Sequence, residues 1–325
     1  MKLIIQLPCY NEEKTLPQTI ADLPKEIEGI DEIEYLIIND GSTDQTVETA
    51  ISCGVHHVVS FKKNKGLAAG FMAGLDACLR LGADIIVNTD ADNQYCGADI
   101  AALVRPILDG QYDIVIGTRP IDNIEHFSKR KKRLQHIGSW VVRVASDTDC
   151  EDAPSGFRAY SREAALHMNV INQYTYTLET IIQAGRSNMA IGSVPIHTNP
   201  ETRKSRLFKS MTSYIKRSVG TILRSFMMYR PFRFFSIIGG VLFAVGLVVA
   251  ARYIWLFAAG FGRGHVQSLI LSTDLLLLGA MTFITGLEAD LIAANRRLLE
   301  ELQYRIRKMD YKSSPIKELP SKPRR

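Results

Sequence analysis

No Gly-x-Gly-x-x-Gly run follows the first apolar segment of this 325-residue chain, and no Gly-x-x-x-x-Gly-Lys-Ser/Thr loop occurs in it. The first absence argues against a dinucleotide oxidoreductase, the second against a P-loop nucleotidase. The five cysteines, at positions 9, 53, 78, 96 and 150, lack any CxxC spacing. They read as reduced thiols of a cytosolic domain, not as a zinc or disulfide framework. There is no aromatic-interleaved RNA motif and no recognition-helix signature, so no nucleic-acid partner is expected. The amino-terminal KLIIQLP is too short for a signal-peptide core and carries no cleavage site, so the first domain is expected to stay on the side where it is made. A large net charge is missing too: 39 Lys+Arg stand against 34 Asp+Glu, for a net +5. The distribution is graded, with acids frequent in the first third, bases dominant from Lys129 onward, and a KPRR end. Such a gradient suggests a basic, membrane-facing side.

What the chain does have is organised around residues 85–94, IIVNTDADNQ. An apolar run of strand character ends in two carboxylates one residue apart, Asp90 and Asp92. In extended backbone, residues i and i+2 point the same way, so both acids can face one site. Two carboxylates with the amide oxygen of Gln94 suit a hard divalent cation, Mg²⁺ or Mn²⁺, shared with phosphate oxygens. An Asp-rich turn that merely starts the next helix is the alternative.

The rest of the first half decides between these. Apolar runs at 3–7, 33–38, 55–61, 85–88 and 112–116 read as strands. Periodic segments at 15–27, 66–81 and 100–108 read as helices. The helix at 66–81 is rich in Gly and Ala, a face that lets it lie close to a sheet. Alternation of this kind predicts an α/β fold with a mainly parallel sheet. The strands end in PCYNEE (8–13), NDGSTD (39–44), the acid pair, and Gly117-Thr118-Arg119. All four clusters then gather on one sheet edge, where open α/β sheets bind ligands.

These motifs, with NKGLAAG (64–70) and SGFRAYSRE (155–163), resemble the family 2 glycosyltransferases, and within them the dolichol-phosphate mannose synthases and bacterial polyprenyl-phosphate glycosyltransferases. The resemblance implies a GT-A, Rossmann-like fold. It implies that Pro8, Tyr10, Asn11 and Glu12 line the nucleoside pocket, that Asp40 accepts from the base, and that Lys65 and Gly66 join the nucleotide-sugar site. Asp90 and Asp92 become the DxD metal and ribose site, with Gln94 as a further metal ligand. Arg119 and Arg158 are expected at the diphosphate or acceptor phosphate, and Arg203 over the diphosphate. Many relatives follow the acids with Leu-Gln-His-Pro-Pro; here residues 93–97 read NQYCG, so the turn must differ. A carboxylate at Asp40 suits the imide N–H of uracil or the N–H groups of guanine alike; a role in the turn is its alternative, and Asp44 is expected to play that role. The basic run at 129–133, with Lys131 and Arg133, is expected to meet an acceptor phosphate or anionic headgroups; a solvated surface is the alternative reading.

Residues 207–227 place apolar side chains on one helical stripe flanked by bases, as in an interfacial helix. Residues 232–258 and 268–293 are each long enough to cross a bilayer core, which takes about 20 residues, and a short link makes them a hairpin. Bases crowd before the first span and after the second, placing both ends in the cytoplasm. Arg252 and Asp274, at similar depth, are expected to pair across the hairpin; both side chains snorkelling to the outer surface is the alternative. The domains are thus 1–205 (GT-A glycosyltransferase), 206–231 (amphipathic, juxtamembrane), 232–293 (transmembrane hairpin) and 294–325 (basic cytoplasmic tail).

The expected activity is inverting, metal-dependent transfer of a hexose-type sugar from a UDP- or GDP-sugar to a polyprenyl phosphate at the membrane. Asp152 is the only base worth naming, because a phosphate acceptor needs none. A processive polysaccharide synthase is disfavoured: QHIGSW (135–140) is not its QxxRW motif. A transferase acting on another lipid and a non-catalytic nucleotide-sugar-binding scaffold remain as alternatives, and a homo-oligomer is left open.

Overall fold

The computed structural model describes residues 1–120, 143, 148, 150–170, 176–200, 219–220, 223–224, 227–261 and 265–313. Lys131, Arg133 and Arg203 lie outside the described residues, as does nearly all of the expected interfacial helix.

Strands β1 (Lys2–Cys9), β2 (Glu32–Asn39), β3 (His57–Ser60), β4 (Ile85–Asn88), β5 (Ile114–Thr118), β6 (Arg158–Ser161) and β7 (Ile191–Pro195) form one sheet. Its order is β3-β2-β1-β4-β6-β5-β7. Every neighbouring pair is parallel except those made by β6, which runs antiparallel to both β4 and β5. The mainly parallel sheet of the GT-A fold is therefore present, with one reversed strand. Leu3, Ile4, Ile5, Ile85, Ile86 and Val87 are fully buried. Central strands covered on both faces have no polar side, which is why β1 and β4 read as unbroken apolar runs.

Helices α1 (Leu16–Ala21), α2 (Thr46–Ser52), α3 (Leu67–Arg80), α4 (Ile100–Leu108), α5 (Arg162–His167) and α6 (Thr177–Arg186) complete this unit. α1 stops well short of residue 27, because Leu23 precedes Pro24 and the ring disfavours helical backbone there. The small-residue face of α3 does what its composition suggests. A Cβ on Gly74 would crowd the ends of the Gln6 and Ile38 side chains, so glycine lets α3 settle close to β1 and β2 without displacing them.

The chain divides into two compact units, residues 1–218 with 300–325, and residues 219–299. The second unit holds α7 (Pro231–Ala258) and the first part of α8 (Val266–Ser313). Both helices are long and apolar enough to cross a membrane. Their large apolar side chains face outward; Val248 is 69% and Trp255 70% exposed, as suits a lipid solvent. The two helices touch through glycine: a Cβ on Gly239 would lie 2.9 Å from the Gly279 carbonyl oxygen, and one on Gly279 would lie 2.9 Å from that of Gly239. Arg252 and Asp274 are both exposed, and no ion pair joins them among the described residues. The expected pairing across the hairpin does not form, which leaves both side chains to reach for water.

α8 does not end with its apolar stretch. Residues 294–313 contain neither Gly nor Pro, and Glu301 pairs with Arg305 one turn on at 2.8 Å, so the helix continues to Ser313. Residues 300–313 group with the sheet, where they lie across α5 and α3. Lys308 Nζ is 3.0 Å from a Glu163 oxygen. Tyr304 donates to the same carboxylate and stacks on His167 with ring centroids 3.8 Å apart. Arg307 donates to the Met168 carbonyl at 2.7 Å. Tyr311 donates to Asp76, under the Arg80 guanidinium, and burial pushes its phenol up to about 12.

Candidate active site

At the carboxyl edge of the sheet the loop after β1 and the turn after β2 are sewn together. The Asp40 amide donates to the Cys9 carbonyl at 2.9 Å. The Asn11 amide donates to Ser42 Oγ at 3.0 Å, and Thr43 N returns a bond to Asn11 Oδ1 at 2.8 Å. Asn11 sits at φ 55°, left-handed backbone that asparagine tolerates. The Glu12 amide donates to Thr46 Oγ1 at 2.9 Å, and the buried Glu12 carboxylate takes the Thr15 hydroxyl at 2.9 Å. Pro8, Tyr10, Asn11 and Glu12 are thus on one shelf, with Tyr10 at its rim, 41% exposed. Asp44 accepts from the amides of Glu13 and Thr46 in the turn before α2, whose N-cap is Gln45 and not Asp44.

Asp40 brings a third loop to this shelf. Its two carboxylate oxygens accept from Lys65 N at 2.6 Å and Gly66 N at 2.9 Å. Gly41, at φ 71°, lies so near this loop that a Cβ would be 2.6 Å from the Lys63 carbonyl carbon. Lys65 Nζ rests over the Phe61 ring at 4.5 Å. What Asp40 visibly does is fasten the β3–α3 loop; each carboxylate oxygen keeps a further lone pair for a ligand.

Beyond β4, Asp90, Asp92 and Gln94 follow one another at half-buried positions. Gln94 Nε2 donates to Asp92 Oδ2 at 3.0 Å, and its amide points to Asp92 Oδ1 at 3.3 Å. Thr19 on α1 holds this loop through the Ala91 carbonyl at 3.0 Å. Under Asp90 lies a buried polar chain. Gln6 donates to Asn88 Oδ1 at 2.9 Å, while Asn88 Nδ2 reaches the Gly156 carbonyl at 2.9 Å and the Tyr176 hydroxyl at 2.8 Å. Tyr176 stacks on Phe71 with centroids 3.9 Å apart. A Cβ on Gly156 would approach the Asp90 oxygens to 3.5 and 3.6 Å, so the 155–156 loop forms a wall of the site. Satisfied networks of this kind hold a side chain in one place.

Arg119 and Asp152 also meet here. Arg119 Nε and Nη2 lie 2.7 and 2.9 Å from the two oxygens of Asp152, which is fully buried. Beside them Tyr95 packs on Phe157 and accepts from the Gly156 amide at 3.3 Å; burial pushes its phenol up to about 12. The charge of Asp90 acts on Tyr95, Arg119 and Tyr176 together, so these groups converge.

Arg158 is placed differently from the expectation. It is fully buried and donates to the carbonyls of Ser155, Ala153 and Thr177 and to Thr180 Oγ1, all at 2.7–2.8 Å. Its guanidinium ties the 153–155 loop to α6 and makes no phosphate-facing surface. Asp152, named above as a base, is already engaged by Arg119. Asn88, Tyr95, Gly156 and Tyr176 were not singled out from the sequence. The polar Asn88 closing an apolar strand was the one available signal.

A family model described as "Glycosyl transferase family 2" matches residues 4–168. The chain is 29% identical to a UDP-N-acetylglucosamine–dolichyl-phosphate N-acetylglucosaminyltransferase of Methanococcus voltae, over 59% of this chain and 83% of that one. It is 26% identical to an undecaprenyl-phosphate mannosyltransferase of Micrococcus luteus, over 60% and 83%. In fold it is similar to glucosyl-3-phosphoglycerate synthase of Mycobacterium tuberculosis, solved with Mn²⁺, uridine diphosphate and phosphoglyceric acid, with a TM-score of 0.54, 19% identity, and 70% and 77% of the two chains covered. The ordered motif loops, the sheet they crown and the family match agree: this chain belongs to glycosyl transferase family 2 and is a glycosyltransferase.

Proposed function

We propose that this enzyme moves a hexose-type sugar from a UDP- or GDP-sugar to a polyprenyl phosphate at the cytoplasmic face of a membrane, with inversion at the anomeric carbon. One observation carries the reading: Asp90, in the loop where Gln94 meets Asp92, acts electrostatically on Arg119, which Asp152 holds, in a chain that also has two apolar helices long enough to span a bilayer. The names of the relatives, which act on dolichyl and undecaprenyl phosphates, support the acceptor class.

A divalent cation fits the residues present. Every group on offer is oxygen or can present oxygen, as Mg²⁺ and Mn²⁺ require. Turning the Gln94 carboxamide over presents Oε1 in place of Nε2. The buried Asn93 Oδ1 beside it has no hydrogen-bond partner among the described residues. Among the described residues no three His, Cys, Asp or Glu side chains form a complete cage, so Asp92, Gln94 and Asp90 would share the ion with diphosphate oxygens. Held there by these residues, a divalent cation would supply positive charge against the departing diphosphate.

The chain's own groups do the rest. The shelf of Pro8, Tyr10, Asn11 and Glu12, with Asp40, Lys65 and Gly66, takes the nucleoside. Arg119, oriented by Asp152, offers fixed positive charge to phosphate oxygens, as does Arg203 in this reading. Lys131 and Arg133 meet the acceptor phosphate. That phosphate monoester has a second pKa near ~6, so it attacks as an anion and needs no base. Bases before α7 and after the apolar part of α8, and few between, support a cytoplasmic catalytic domain with both chain ends on that side.

The test is purified protein in detergent, offered UDP- and GDP-sugars with undecaprenyl phosphate and Mg²⁺ or Mn²⁺. Labelled sugar should move into the lipid fraction, and chelation should stop it. Donor hydrolysis without any lipid product across the panel would refute the acceptor assignment.

A further inference from the structure

β7 ends at Pro195, but the chain stays extended and crosses to the loop that follows β4. Ile196 N is still tied to the Thr118 carbonyl at 3.0 Å. Tyr95 and Thr198 then form an antiparallel bridge, and Cys96 N donates to the His197 carbonyl at 3.4 Å. Asp99 fastens the same crossing by accepting from His197 N at 2.6 Å and meeting His197 Nδ1 at 3.0 Å.

Asn199 makes the decisive contacts. Its amide N donates to the Gln94 carbonyl at 2.9 Å. Its carboxamide Nδ2 donates to the Asn93 carbonyl at 3.1 Å and the Tyr95 carbonyl at 3.4 Å. One residue thus grips three consecutive carbonyls. The middle one belongs to Gln94, whose side chain meets Asp92. Asn93 holds left-handed backbone at φ 57°, which asparagine tolerates, and Asn199 pins its carbonyl in that turn. Asn199 lies beyond the residues 4–168 that the family model matches.

We infer that Asn199 is a positioning residue for the cation site: it fixes the backbone from which Gln94 reaches toward Asp92. The inference rests on the metal reading proposed above. The chemistry calls for a carboxamide in particular. Both its side-chain N–H groups are used, whereas an aspartate of the same shape would donate nothing from its side chain and would set a negative charge against two carbonyl oxygens. A loosened loop must be ordered when the cation binds, so the loss falls on cation affinity. Groups that orient metal ligands from behind typically change metal affinity by roughly 10–100-fold when removed.

The experiment uses the full chain in detergent. Mn²⁺ binding is followed by electron paramagnetic resonance of the free ion, with UDP and, separately, GDP present, for wild type, Asn199→Asp, Asn199→Ser and Asp92→Asn. Thermal unfolding without metal reports whether each variant is folded; serine, small and neutral, serves if aspartate disrupts the loop. The expected result is Mn²⁺ affinity weakened about tenfold or more in Asn199→Asp and less in Asn199→Ser. The KM for nucleotide sugar at saturating Mn²⁺ should stay near the wild-type value, and kcat should recover as Mn²⁺ is raised. Wild-type Mn²⁺ affinity in both Asn199 variants, with Asp92→Asn strongly weakened, overturns the role of Asn199 and leaves the metal reading standing. A kcat loss that added Mn²⁺ does not recover also overturns it, in favour of general structural support. Unchanged Mn²⁺ affinity in Asp92→Asn overturns the metal reading and this inference with it.

Discussion

Arg119 and Asp152 face each other as a two-pronged pair, at 2.7 and 2.9 Å, with the carboxylate sealed from solvent and the guanidinium largely so. The Arg119 main-chain amide points to the same carboxylate at 3.3 Å, so backbone and side chain are aligned by one acid. The fork geometry is specific to arginine. Arg119→Lys should therefore not rescue Arg119→Ala: both should lose roughly 10²-fold in kcat, the scale seen when one preorganised charge-stabilising donor is removed. A lysine variant near wild-type activity would count against this.

Asp152→Ala removes one partner of a buried pair and strands the other. Breaking such a pair costs about 3–5 kcal/mol, so the thermal midpoint of the variant should fall clearly. Asp152→Asn should be milder, because it keeps the shape and one acceptor oxygen. If Asp152 acted as a base instead, Asp152→Asn would abolish turnover while leaving the midpoint alone, an outcome that unfolding scans and single-turnover kinetics separate.

Arg158→Met removes the guanidinium that donates to four oxygens of the 153–155 loop and α6. A loss of about 3 kcal/mol or more is expected, since each buried acceptor left unmade costs about 1–3 kcal/mol. The loss should appear in denaturant unfolding, with the KM for nucleotide sugar little changed in the protein that remains folded. A stable variant with a large KM increase would return Arg158 to the phosphate-binding role its motif implied.

The end of α8 should respond to pH. Burial works against the Glu163 carboxylate, but hydrogen bonds from Tyr304 and Lys308 outweigh it and hold Glu163 below its ordinary value. A depressed folded-state pKa stabilises above the unfolded value, near ~4.3, and that contribution is lost as pH falls through the folded value. Protection factors of amides in residues 300–313, with the intrinsic pH dependence of exchange divided out, should then be lower below pH ~4 than near neutrality. Glu163→Gln should remove the step, and an unchanged step in that variant would rule out Glu163 as its source.

Much of the fold was open to reading because its strands sit between helices and so carry uninterrupted apolar runs, as in residues 3–7 and 85–88. The polar loops ending those runs were legible for the same reason: each marks where burial stops. β6 was not legible as a strand, since Arg-Ala-Tyr-Ser shows neither a run nor an alternation and its arginine is buried only because Ser155, Ala153, Thr177 and Thr180 happen to converge on it. Asn199 escaped notice because its partners are main-chain carbonyls far away in sequence, which no local pattern encodes. The reach of α8 to Ser313 was obscured by its charges, which read as a basic tail; Arg307 and Lys308 instead make contacts that hold the helix on α5 and the residue after it.

At Gly239 and Gly279 the two apolar helices meet main chain to main chain, leaving no room for even a methyl group. Nothing as thick as an isoprene unit can thread between them at that level. If the acceptor is the polyprenyl phosphate proposed above, its tail is kept out of the seam between these two helices at that level.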